Sequence, residues 1–310
     1  MNQKEKGFIP VMLTPFKENG AVDFDGLDNL TDLYLASGAS GLFANCLSSE
    51  MFELTEKERM QTIERVVKKT NGAVPVVATG TFDGSPAEQA RFIKRVYEAG
   101  CDAVIFITGI LARETEPDEV LAERIYRLFE LTPGIPTGVY ECPVPYKRLL
   151  SPTLLKTLID TGRVVYHKDT SLDLQQVALK VKAGEGHPFG LYDAYMVHAV
   201  KSLRAGAAGL SCIQGNYFPE LIVWLCRNYD DPAQSREVDK VQQFLTDNMD
   251  VMHDVYPASS KIFLQKRGIE ISHYTRRDVG ELTADKLNKI DILYKDYEEL
   301  QHELQIPAVY

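Results

Sequence analysis

The sequence predicts an α/β fold, a TIM (β/α)₈ barrel with a C-terminal helical extension. Three observations lead there. Short β-rich runs alternate with longer amphipathic ones, making eight βα units in about 225 residues. The first run ends Leu13-Thr14-Pro15-Phe16, with none of the glycine-rich phosphate loop expected of a doubly wound sheet. Beyond about residue 235 helical patterns follow one another without strands between them. The expected division is a barrel with the functional site over 1–230 and a helical appendix packed on it over 231–310.

The elements follow in order from hydrophobic period. Strands are expected at 8–14, 41–45, 74–81, 103–108, 137–141, 164–168, 188–192 and 208–213. Helices are expected between them at 24–36, 56–69, 87–99, 118–131, 152–160, 174–182 and 197–205, with an eighth at 219–228. Ser85-Pro86 and Ser151-Pro152 read as an N-cap followed by proline in the first turn, where its missing N–H costs nothing. Gly38, Gly72, Gly100, Gly162, Gly184 and Gly206 stand at helix ends, the place of a left-handed C-cap. In the extension, 259–267 and 284–304 carry the clearest helical period.

Composition narrows the function. Apolar residues are 45% and charged residues 25% of the 310, an ordinary globular balance. The charge, 34 − 44 = −10, repels phosphate backbones and anionic lipid, and no basic stripe offsets it, so nucleic acid and membrane are not expected partners. No run approaches the ~18 apolar residues of a membrane helix. The apolar stretch near the amino terminus is too short to be expected as a secretory leader, and five cysteines without a C-x-x-C pair point to a reducing, cytoplasmic setting as the expectation.

In such a barrel, functional groups gather at the C-terminal strand ends. That rule selects Thr14, Ser48, Ser49, Glu50, Thr81, Tyr140, His167, Lys168, Asp193 and Asn216. Lys168 closes the sixth strand, and alternation places it on one face with Val164 and Tyr166. If that face points inward, desolvation lowers its pKa, as an imine-forming amine requires. The alternative is a lysine that reaches solvent or pairs with Asp169. Tyr140 ends the neighbouring strand, where a phenol can relay protons to an imine; the alternative is a core tyrosine. The Ser48-Ser49-Glu50 loop before a helix suits a carboxylate, or is a plain capping turn. The six histidines form no H-x-H, H-E-x-x-H or i,i+4 pair, and no G-x-S-x-G elbow is present. Neither a metal site nor a serine hydrolase is expected, and His167 reads as barrel–helix packing.

These residues resemble the dihydrodipicolinate synthase / N-acetylneuraminate lyase family of pyruvate-imine barrels. The likeness rests on Thr14-Pro15-Phe16, Ser48-Ser49-Glu50 with Leu54 and Glu58, Val139-Tyr140 with Pro143, and Lys168-Asp169-Thr170-Ser171. Gly206-Ala207, Gly209, Asn216 and Pro219 continue it, and Tyr256-Pro257, Lys261 and Gly268 are in keeping. The resemblance implies a lyase or aldolase in which Lys168 forms a Schiff base with pyruvate or another 2-oxo acid. Tyr140 would relay protons, and Ser48 (hydroxyl and amide) and Ser49 (amide) would hold the substrate carboxylate. Thr14, Asp193 and Asn216 complete the expected substrate-binding set. No metal or organic cofactor is implied, because the protonated imine is itself the electron sink. A homotetramer, a dimer of dimers, is implied as well.

The departures bear on substrate. Cys46 and Ser49 stand where the family prefers glycine, and Leu47 stands at its first loop hydroxyl. The segment 107–111 offers no tyrosine, and Pro145 occupies the place of an arginine. The leading expectation is cleavage or formation of a 2-keto-3-deoxy sugar acid or related 2-oxo acid. Dihydrodipicolinate synthase proper and a non-catalytic sugar-acid-binding barrel are the alternatives.

Overall fold

The structure, a computed structural model, describes residues 5–309; the first residues read for a leader, and the outermost residues of both expected domains, lie outside them. Eight strands form one parallel sheet: β1 (Gly7–Phe8), β2 (Leu42–Ala44), β3 (Val76–Thr79), β4 (Ala103–Ile107), β5 (Thr137–Tyr140), β6 (Val164–Asp169), β7 (Gly190–Asp193) and β8 (Gly209–Leu210). Their order is β1-β8-β7-β6-β5-β4-β3-β2. The gap between β1 and β2 closes through a bridge from Val11 to Phe43. There the Phe43 N–H donates to Pro10 O (3.0 Å) and the Met12 N–H to Phe43 O (3.1 Å). The first strand is shorter than the expected 8–14 because Pro10 has no N–H to continue the ladder.

Around the sheet lie α1 (Phe24–Ala36), α2 (Glu56–Thr70), α3 (Pro86–Glu98), a single turn α4 (Thr108–Leu111), α5 (Asp118–Leu131), α6 (Pro152–Ile159), α7 (Leu174–Ala183), α8 (Ala199–Arg204) and α9 (Pro219–Asn228). Ser85 and Ser151 cap α3 and α6 as expected, accepting from Glu88 N (3.3 Å) and Leu154 N (3.1 Å). Gly184 departs from expectation: it is right-handed, and the left-handed turn falls at Gly186 (φ 82°). The helix α4 replaces the end of the expected fourth strand.

Alternation divides the core in two. Ile9, Val11, Phe43, Ile105, Tyr140, Tyr166 and Tyr192 pack inside the barrel, while a larger cluster lies between sheet and helices. Val164 does not share the inner face with Tyr166, because the β5–β6 register slips between Thr137 and Gly138. That bulge places two β6 steps against one on β5, so Val164 points toward the helices and Lys168 still points inward. Gly138 leaves room for this: a Cβ there would meet Ile105 at 2.5 Å and Tyr166 at 2.9 Å.

After α9 come α10 (Ser235–Asp247), α11 (Met249–His253), α12 (Ala258–Lys266) and α13 (Ala284–Glu303), without strands. Phe218 stacks on Tyr297 of α13 (5.4 Å, 21°) and meets Phe263 of α12 edge-on (5.9 Å). Buried Arg267 pairs with Glu220 of α9 at 2.7 Å, and the Tyr297 hydroxyl donates to the same carboxylate. No described helix is long and apolar enough to cross a membrane.

Candidate active site

Lys168 and Tyr140 meet through strand register. Tyr140 pairs directly with Lys168 across β5 and β6, and Lys168 with Tyr192 across β6 and β7. The Lys168 ammonium lies 4.3 Å from the centroid of the Tyr140 ring. Both are sealed from water, at 4% and 3% exposure, which excludes a lysine reaching solvent. Nor does Lys168 pair with Asp169, which points out of the barrel and binds Lys180 at 2.7 Å.

Burial therefore acts on Lys168 with little opposition. Desolvation pulls its pKa below that of an ordinary lysine. The groups that oppose this are Cys46, Cys142, Cys212 and Asp193. Burial pushes the Cys142 thiol up to about 11 and Cys212 to about 12, so these thiols are neutral near pH 7 and do not stabilise an ammonium. Burial raises the Cys46 thiol too, and the Asp193 carboxylate is turned to His198 (2.9 Å) and the Tyr195 N–H (2.9 Å). The Tyr140 phenol is raised well above its usual value, first by burial and then by the Cys142 and Cys46 thiols beside it. Phe43 holds its ring edge-on at 5.8 Å.

The other expected site residues divide between pocket and framework. The loop after β2 winds into a 3₁₀ turn over Leu47–Ser49. There the Ser49 amide donates to Cys46 O (3.0 Å) and its hydroxyl to Met12 O (2.6 Å), so both groups are engaged within the protein. Ser48 is buried within the same turn. Asn216 has both ends of its amide in use: Nδ2 donates to Val11 O (2.8 Å) and Tyr256 Oη (2.6 Å), and Oδ1 accepts from Tyr34 (2.6 Å). Asn216, Asp193 and Ser49 thus brace the loops around the site. Thr14 is buried beyond β1, two residues after Met12, whose carbonyl anchors this loop.

Two ion clusters escape a reading of motifs. Glu50, buried with left-handed backbone (φ 53°), accepts from Lys261 Nζ (3.1 Å) and from the Arg276 and Arg277 amides (2.7 and 2.9 Å). The carboxylate expected at the site instead fastens the appendix to the β2 loop. Behind β5 and β6, Lys180 of α7 bridges Glu141 (2.5 Å) and Asp169 (2.7 Å), with His167 Nε2 at 3.7 and 3.5 Å from the same oxygens. Glu141, His167 and Asp169 are the described group with metal-ligand chemistry, and the Lys180 ammonium is the cation between its carboxylates. Burial alone would push the Asp169 carboxyl up; His167 and Lys180 more than offset it and hold it far below the usual range. The signal lay in alternation: residues 141, 167 and 169 each neighbour an inward side chain and so share the outer face.

Removing Lys180 would strand two buried carboxylates. Lys180→Met is expected to cost about 3–5 kcal/mol, read as a lower urea midpoint at pH 7. An unchanged midpoint would show that the cluster does not hold β5 and β6 together.

A family model described as the dihydrodipicolinate synthetase family matches residues 4–296. The chain belongs to that family. Dihydrodipicolinate synthetase family members are lyases and aldolases, and this chain is such an enzyme. A 4-hydroxy-tetrahydrodipicolinate synthase of Bacillus subtilis is 26% identical over 276 residues, 89% of this chain and 93% of the relative. The enzyme of that name from Jannaschia sp. is 29% identical over 216 residues, 70% of this chain and 72% of the relative. Dihydrodipicolinate synthase of Bacteroides thetaiotaomicron shares the fold with a TM-score of 0.84 at 23% identity, covering 96% of this chain and 100% of that one. A prophage protein of the family from E. coli K12, solved in complex with pyruvate, gives 0.82 at 21% identity, covering 96% and 98%.

Proposed function

We propose that this enzyme joins Lys168 to pyruvate as an imine and uses it to make or break a carbon–carbon bond. The observation that carries this is the desolvated Lys168 amine above the Tyr140 ring. Free of a carboxylate partner, the amine attacks the 2-oxo carbon. Tyr140 gives its proton to the carbinolamine oxygen, which leaves as water, and the phenolate then takes a proton from the pyruvate methyl to give an enamine. The face of the Tyr140 ring favours the positive charge of the protonated imine. Ser48 is the residue we assign to the substrate carboxylate, with Thr14, Ser49, Asp193 and Asn216 around it as the supporting set. The imine supplies the electron sink, so this chemistry asks for no metal or organic cofactor. The same reading takes the chain as a cytoplasmic homotetramer, with its barrel ending near residue 230. A solved relative is titled a monomeric dihydrodipicolinate synthase variant, so assembly is a property to measure by sedimentation.

For the second substrate, the relatives' names favour 4-hydroxy-tetrahydrodipicolinate synthase, that is, condensation with aspartate semialdehyde. The side chains around Tyr140 favour a 2-keto-3-deoxy sugar acid or related 2-oxo acid. Leu47 and Ile110 pack on the same interior cluster as Tyr140 and pass no protons. Pro145 offers no charge, and the polar residues beyond it have partners. The Tyr146 hydroxyl donates to Ala112 O (3.1 Å), Lys147 to Thr170 O (2.8 Å), and Arg148 pairs with Asp118 (2.7 Å). A charged hydrogen bond to the semialdehyde carboxylate, ~1.5–3 kcal/mol, is thereby lost. We expect retro-aldol cleavage of 2-keto-3-deoxy sugar acids to exceed condensation with aspartate semialdehyde in kcat/KM. Condensation at an efficiency ordinary for an enzyme on its own substrate would assign the synthase instead.

A further inference from the structure

The turn that carries Ser48 is a strained piece of backbone. Two non-glycine residues flank it in the left-handed region, Asn45 (φ 49°) and Glu50 (φ 53°), where a Cβ crowds its own chain. Such residues persist only where their surroundings hold them, and they gather at functional sites. Here each is held by its own side chain. Asn45 Nδ2 donates to Arg59 O (2.7 Å), which ties the entry of the turn to α2. Within the turn the Cys46 N–H donates to Ser49 Oγ (3.1 Å), which itself donates to Met12 O (2.6 Å). The exit is held from outside the barrel. One oxygen of the buried Glu50 carboxylate accepts from Lys261 Nζ of α12 (3.1 Å), and the other from the Arg276 and Arg277 amides (2.7 and 2.9 Å). Lys261 is buried as well, donates to Tyr274 O (2.8 Å) and lies 4.8 Å from the Phe16 ring centroid. The receiving segment is pinned in turn. Arg276 pairs with Glu58 in the first turn of α2 and donates to Gly20 O (3.0 Å) and Glu53 O (2.9 Å), while Arg277 donates to Tyr256 O (2.8 Å).

We infer that Glu50, clasped by Lys261, is the positioning residue for the turn that binds the substrate carboxylate, so that the appendix sets how tightly the barrel holds its 2-oxo acid. This rests on the Lys168 imine and the Ser48 carboxylate site proposed above. Released from the clasp, residue 50 returns to the right-handed backbone that a side chain with a Cβ prefers. The turn before it then shifts and carries Ser48 out of place. Only the fraction of molecules still left-handed at residue 50 binds the carboxylate, and apparent affinity falls by that fraction. The imine chemistry is kept, because Lys168 and Tyr140 stand on β6 and β5 rather than on the turn.

The test needs pyruvate alone. Replacing both members of the ion pair leaves no buried charge stranded. Two double variants, Glu50→Ala with Lys261→Met and Glu50→Gly with Lys261→Met, differ only at residue 50. Alanine keeps the penalty of left-handed backbone, and glycine does not. The half-saturating pyruvate concentration is read from borohydride trapping and from NMR-followed exchange of the pyruvate methyl protons in deuterium oxide. The alanine pair is expected to raise it about tenfold, and the glycine pair by about threefold or less. Trapping on Lys168 at saturating pyruvate should persist in both. Loss of a salt bridge with no bearing on the turn would move the two pairs alike. Equal shifts in the two pairs, or half-saturation within about twofold of wild type in the alanine pair, would therefore overturn the inference. If either pair fails to fold, Glu50→Gln, which keeps the shape and loses the charge, decides alone. Half-saturation raised by about twofold or more then supports the role, and a smaller change overturns it. A wild-type enzyme that traps no pyruvate would instead bring down the Lys168 imine, and this inference with it.

Discussion

Borohydride in the presence of pyruvate should add one reduced pyruvate to each wild-type chain, on the peptide that carries Lys168, and none to Lys168→Arg. Turnover should vanish with the adduct, because a guanidinium stays protonated and cannot attack a carbonyl. The rate of adduct formation carries a second signature. Only the neutral amine is a nucleophile, and burial draws the Lys168 pKa below the ordinary lysine range. Adduct formation should therefore rise with pH and level off before an exposed lysine would have titrated. A peptide map that places the pyruvate on another lysine, or an adduct in Lys168→Arg, would remove Lys168 from the mechanism.

Tyr140→Phe is expected to keep the fold and lose most of the rate. The ring remains between Phe43 and the Lys168 amine, so packing is preserved, and only the hydroxyl goes. General acid–base catalysis is typically worth ~10²–10⁴-fold, and that is the drop expected in turnover and in pyruvate methyl exchange. Thermal unfolding should stay close to that of the wild-type enzyme. Full activity in Tyr140→Phe would leave proton transfer to another group, and Tyr140 would then be a packing residue.

Much of the site was legible because it obeys short periods. Lys168 and Tyr140 sit at the ends of β-rich runs, and the barrel rule brings such ends to one mouth. Alternation correctly turns His167 away from Lys168, and the structure packs it behind the strand. The same rule fails at Val164, where a bulge breaks the two-residue period. Asn216 and Asp193 have the chemistry of substrate contacts, yet Tyr34, Tyr256 and His198 engage them first. Those partners lie on other elements, and no local pattern announces them.

The order of βα units, the caps at Ser85 and Ser151, and the opposite facing of Lys168 and His167 were determined by the sequence alone. Each depends on residues within one helical turn or one strand, whose preferences are set by their immediate neighbours. Closure of the barrel decided the rest. It set Tyr140 against Lys168, Lys180 between Glu141 and Asp169, and Lys261 against Glu50. A buried charge must find its counter-charge wherever the chain brings one, because leaving it unpaired in a dry interior costs several kcal/mol. That requirement acts through space rather than along the chain, so only the tertiary structure reveals which carboxylate serves the framework and which lysine is left free to react.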